Sequence, residues 1–214
     1  MKECIDTIGN YFIMQRLHIL RVFNGICLGI VFFIVAALIL SRINDTMLFF
    51  FYGWGSLLGK AALVFFITTL LPGMGERLGI KNKVLSIVRI YRRQVGILMY
   101  LSALLHVVLS KIITLSSFKE LLQPQIFEIM GTLSLLILFF LFITSNTVSL
   151  IRLKLNWYRI HRLIYIGMFS IFLHVAFINL SIWSLLMGTV LILQLVSFIV
   201  VYKKTGSLTG GKPI

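Results

Sequence analysis

The chain has 214 residues, 59% of them hydrophobic and only 12% charged, with a mean hydropathy of +1.03. A soluble domain of that size cannot hide so much apolar surface in one core, whereas a bilayer solvates it. The net charge of +14 does not indicate nucleic acid, because nearly all Lys and Arg fall in inter-helix clusters and the tail, the pattern of a membrane protein oriented by its cytoplasmic charges. Cys4 and Cys27 belong to no CxxC or CxxCH motif, which argues against covalent c-type heme, a zinc site or a disulfide framework.

The first long apolar run starts near Val22, behind Arg16 and Arg21. It is longer than a signal-peptide core and lacks a small-residue cleavage site, so it reads as a retained helix. Length and charged punctuation then predict spans at 22–41, 46–71, 93–111, 126–145, 160–180 and 182–202. Arg42 to Asp45 separates the first two, and Pro72-Gly73 is expected to end the second. Basic stretches at 76–93 and 152–162 and a polar connection at 116–124 divide the rest. The expected fold is an all-α integral membrane protein, a six-transmembrane-helix bundle. It divides into an N-terminal segment (1–21), a transmembrane domain (22–202) and a tail (203–214). Six spans of roughly 20 residues use about 120 positions and leave short loops, with no room for a separate soluble domain.

Sixteen of the twenty Lys and Arg lie on the side shared by the N-terminus, the 76–93 and 152–162 loops and the tail. Arg42, Lys111 and Lys119 lie on the other, and Lys60 lies within a span. The positive-inside rule places both termini in the cytoplasm, and the protein in the cell (inner or plasma) membrane.

An ionisable side chain at membrane depth is expensive and asks for a reason. His106 lies 13 residues after Arg93, and His174 lies 12 residues after Arg162. Both spans run outward, so both side chains sit roughly 18–20 Å from the inner boundary. Two imidazoles at equal depth on different helices can ligate one heme iron from opposite faces. The competing reading is an interhelical hydrogen bond to a Ser or a backbone carbonyl. His161, in the basic stretch Arg159 to Arg162, is either a solvated interfacial histidine or a ligand to a second, inner heme. It lies about 140° from His174 on an ideal helix, so either the helix twists or bends to turn both to one partner, for which Gly167 is a candidate, or the two are used from different sides. Arg92 falls within about 40° of the His106 face; a guanidinium is a poor iron ligand and suits a heme propionate better. Lys60 either snorkels or offsets a carboxylate such as a propionate. His18, between Arg16 and Arg21, reads as interfacial.

These residues resemble the ferric reductase-like transmembrane domain superfamily. Within it they are most similar to the MsrQ/YedZ family, the heme-binding membrane subunit of a periplasmic methionine sulfoxide reductase system. Arg92-Arg93-Gln94-Val95-Gly96 followed by His106 resembles that family's Arg-Arg-x-x-Gly segment and later His. Thr144-Ser145 resembles its Thr-Ser ending. Trp157, His161-Arg162-Leu163-Ile164-Tyr165 and His174 resemble its Trp-x-x-x-His-Arg-Leu-x-Tyr and following His, and Gly59 to Pro72 its Gly-to-Pro second span. The resemblance covers roughly residues 20–200. It implies a six-helix bundle holding b-type heme, one or two, between the third and fifth helices. His106 and His174 would ligate the outer heme and His161 would belong to an inner site, with Arg92, Arg93, Arg162 and Lys60 as cofactor-binding residues. Two-heme relatives carry a His where this chain has Arg92.

The function expected is electron transfer across the bilayer, as the electron-transfer subunit of an oxidoreductase system. The donor would be a separate flavoprotein, a bound flavin such as FMN, or a quinone; the acceptor would be an extracytoplasmic protein. Three alternatives stand beside it: a direct reductase of ferric chelates or oxygen, a heme-free transporter or proton pathway, and an assembly subunit whose histidines only hold helices together.

Overall fold

The structure is a computed structural model that describes residues 14–40, 45–111 and 124–205. Expectations for the first residues, for 41–44, for 112–123 and for the tail from 206 lie outside the described residues. In chain order the helices are α1 (Arg16–Leu40), α2 (Asp45–Leu78), α3 (Lys83–Lys111), α4 (Ile126–Thr144), α5 (Thr147–Leu153), α6 (Leu155–Arg162), α7 (Ile164–Ile178) and α8 (Ile182–Thr205). No strand occurs among the described residues. Six segments are long and apolar enough to cross a membrane: Leu17–Ile39, Tyr52–Leu78, Lys83–Lys111, Ile126–Thr144, Leu155–Ile178 and Ile182–Thr205. Helix is the expected solution, because a span in hydrocarbon must satisfy every backbone N–H and C=O within itself. Large apolar side chains such as Leu28, Phe32 and Leu185 stand exposed along these helices, as lipid-facing residues do.

Several ends differ from the sequence expectation. α1 begins at Arg16, so His18 is helical rather than part of a preceding segment. α2 does not stop at Pro72-Gly73; Pro72 lies inside it and is almost fully buried. A proline removes its own N–H from the ladder and crowds the carbonyl four residues back, costs that a packed membrane helix tolerates. The stop comes at Gly79, whose φ of +75° suits glycine. There Ile80 N–H donates to Gly75 O (2.8 Å) and Gly79 N–H to Glu76 O (3.2 Å), a Schellman ending. The basic stretch 76–93 is therefore mostly helical, and so is 152–162, which holds the last two residues of α5 and all of α6. Asn146 caps α5 by accepting the Ser149 N–H at 2.7 Å. Lys154, at φ +48° and ψ −117°, separates α5 from α6.

The chain divides into two compact units: Met1–Thr69 with Lys83–Pro124, and Leu70–Asn82 with Gln125–Ile214. In the first, α1 packs on α3 around Ala37, Leu105 and Leu109, joined by Ile30, Phe33, Ile34 and, from α2, Leu58. Phe23 stacks on Tyr91 with ring centroids 6.2 Å apart. In the second, α4 packs chiefly against α7, where Gly167 brings Ile137 close. α7 in turn meets α8, with Tyr165 edge-on to Phe198 at 5.2 Å. Arg77, at the end of α2, lies over the Phe198 ring at 4.4 Å and donates to Ser197 Oγ at 2.9 Å.

Candidate functional site

His106 lies in the last two turns of α3. Its Nδ1 is 2.7 Å from the carbonyl oxygen of Gly55 on α2. A carbonyl only accepts, so Nδ1 carries the proton and donates it. Ser110, one turn on, places its Oγ 3.3 Å from the same nitrogen. The approach depends on small residues in α2: a Cβ on Gly55 would lie 2.8 Å from Ser110 Oγ, and one on Gly59 would lie 2.9 Å from His106 Nδ1.

His174, in α7 of the other unit, repeats the arrangement. Its Nδ1 donates to the Phe127 carbonyl on α4 at 2.7 Å. Gly131, four residues beyond Phe127 as Gly59 is beyond Gly55, leaves the room. A Cβ there would lie 2.7 Å from the ring Nδ1. Residues four apart share a helix face, so in both cases the accepting carbonyl and the glycine meet one edge of the ring. Each bond fixes the tautomer in which Nε2 holds the lone pair, the arrangement in which a histidine ligates a metal through Nε2 while its other nitrogen is anchored. Both rings are half-buried.

His161 is built differently. Its Nε2 lies 3.2 Å from Thr144 Oγ1. The Thr144 hydroxyl places its one proton on Phe140 O, 2.6 Å away, so toward the ring it accepts and His161 Nε2 donates. Trp157, one turn earlier, stacks on the imidazole with centroids 3.9 Å apart and donates its indole N–H to Thr144 O at 2.9 Å. Leu163, in αR conformation, is the residue between α6 and α7, and Gly167 is helical. Both histidines reach α4, one at its last residue and one near its first.

Arg92, Arg93 and Arg162 are exposed, and so is Lys60, next to Gly59 in α2. Among the described residues no three His, Cys, Asp or Glu side chains gather as a metal site. A porphyrin brings its own equatorial nitrogens and asks the protein only for axial ligands. The carbonyls of Gly55 and Phe127 and the spaces at Gly59 and Gly131 were not singled out from sequence. An i, i+4 pair of glycines in a helix, Gly55 and Gly59, was the one signal for the first.

Six long apolar helices and no strand among the described residues define a multi-pass, all-α membrane protein. Residues 58–172, more than half of the chain, match the ferric reductase like transmembrane component family, and the chain belongs to that family. Membership implies transmembrane electron transfer. The match spans Gly59, His106, Gly131, Thr144, Trp157 and His161, and ends two residues before His174. Neither the curated proteins nor the solved structures contain a match to this chain.

Proposed function

We propose that the chain binds one b-type heme with His106 and His174 as axial ligands, and carries electrons from a donor at the cytoplasmic face to an acceptor outside. The observation that carries the reading is the repeated one: in each unit an imidazole donates Nδ1–H to a backbone carbonyl at 2.7 Å, which directs the lone pair to Nε2. A hydrogen bond to a carbonyl also fits histidines that only join helices. Two identical arrangements in a family of electron-transfer membrane proteins favour ligation, and the two roles use different nitrogens of one ring.

When bound, the heme supplies a one-electron ferric/ferrous couple. The chain's own part is to hold it. The two imidazoles fix the iron, the carbonyls of Gly55 and Phe127 orient them and raise their basicity, and apolar helices keep water away. Arg92, Arg93, Arg162 and Lys60 supply cations for propionates or for docking an acidic or phosphate-bearing donor. His161, whose Nε2 donates to Thr144, is read as a buttress of the α4–α6 junction, which is why a single heme is proposed. The charge asymmetry, sixteen of twenty Lys and Arg on one side, supports cytoplasmic termini in a cell membrane. The donor is a flavoprotein, a flavin such as FMN or a quinone. The acceptor is an extracytoplasmic protein, a methionine sulfoxide reductase if the chain lies in the MsrQ/YedZ branch.

The test is heme content per chain, measured as the pyridine hemochromogen on purified protein. The expected result is about one heme in the native chain and nearly none in His106→Ala or His174→Ala. Full content in both variants would refute the ligand assignment.

A further inference from the structure

We infer that Gly59 and Gly131 are positioning residues that set the tilt of the two ligand imidazoles, each by being the empty space against which one ring edge rests. This rests on the reading of His106 and His174 as heme ligands.

What an added Cβ would meet separates these glycines from the others; Gly55 is as tight, but there the Cβ would meet Ser110 Oγ, at 2.8 Å. A Cβ on Gly59 would meet His106 first, at 2.9 Å from Nδ1, 3.0 Å from Cε1 and 3.2 Å from Cγ. On Gly131 it would meet His174 first, at 2.7 Å from Nδ1, 2.9 Å from Cε1 and 3.4 Å from Cγ. The glycines that serve helix packing look different: Gly167 would press Ile137 Cγ2 at 3.3 Å, and Gly188 would press Phe172 at 3.2 Å. Gly53 and Gly96, on the same helices as Gly59 and His106, have nothing within 4 Å. Glycine at 59 and 131 is therefore matched to an imidazole.

The ring has no cheap way to yield. Its Nδ1 is bound at 2.7 Å to a carbonyl one turn away on the same helix as the glycine. A methyl group on that glycine would push the ring edge off the helix and lengthen the bond. The ring would then turn about its side-chain torsions, and the Nε2 lone pair would swing with it. Ligation needs that direction held closely, since support of this kind is worth about 10–100-fold in metal affinity.

The experiment compares Gly59→Ala and Gly131→Ala with Gly53→Ala and Gly167→Ala in the full chain. The expected result is heme retention weakened about 10-fold or more in the first two, with part of the low-spin ferric spectrum becoming high-spin. The two control variants should keep the native spectrum. A second readout needs no heme: nitrogen-15 NMR of imidazole-labelled, heme-free protein, native and variant. It should show His106 and His174 protonated at Nδ1 and hydrogen-bonded there; in Gly59→Ala only the His106 resonance should move, and in Gly131→Ala only that of His174. Native protein that binds no heme would end the ligand reading while the NMR still judged the glycines. Heme bound normally in both glycine variants, or unmoved ring resonances in them, would overturn the inference and leave the ligand reading standing, whereas native rings protonated at Nε2 would overturn both.

Discussion

An imidazole has two nitrogens, and the one that carries the proton decides what the other can do. At His106 and His174 a carbonyl takes the Nδ1 proton; at His161 a hydroxyl already committed to Phe140 O takes the Nε2 proton. Three histidines of one chain thus fall into two chemical kinds. His161→Gln should therefore leave the heme content of the purified chain unchanged. It should lower thermal stability by about 1 kcal/mol, the usual worth of one hydrogen bond. Heme loss as severe as in His106→Ala would instead make His161 a ligand. The sequence exposed the histidines because an ionisable residue inside an apolar run is rare. It could not expose their tautomers, which depend on which backbone oxygen of another helix lies opposite. Thr144, Trp157 and His161 were visible as separate pieces of a family pattern. The structure joins them in one hydrogen-bonded, stacked cluster.

At the scale of the element, the six spans were legible because hydrocarbon demands about 20 apolar residues each, and few sequences of other kinds meet that. Their ends were not. Pro72-Gly73 looked like a stop, yet α2 runs on to Leu78, since a packed membrane helix tolerates an interior proline; Gly79 was the effective signal. The 152–162 stretch reads as a basic loop by its charge, whereas it runs from the last two residues of α5 through all of α6, the two helices meeting at Lys154. Lys154 holds a φ of +48°, a region that L residues enter at a cost of roughly 1–2 kcal/mol. Lys154→Gly should relieve part of that strain and raise the unfolding midpoint in detergent, by an amount corresponding to about 1 kcal/mol. Thermal scans followed by circular dichroism would show it; a lowered midpoint would mean that the lysine side chain stabilises the junction by more than its backbone costs.

For the molecule as a whole, the arrangement within each unit repeats one local solution. An imidazole donates to a carbonyl on another helix, and a glycine one turn further on makes space. Membership of the ferric reductase like family supplies the class of process. The charge distribution supplies the proposed direction. The identity of the cofactor rests on the two rings. Electron paramagnetic resonance of the oxidised, purified chain tests that claim most directly, because the ferric signal reports both axial ligands at once. The expected spectrum is low-spin with two imidazole ligands, replaced by high-spin iron or by no iron signal when either His106 or His174 is substituted. A low-spin bis-imidazole signal that survives both substitutions, or a native chain whose iron is high-spin, would contradict the account.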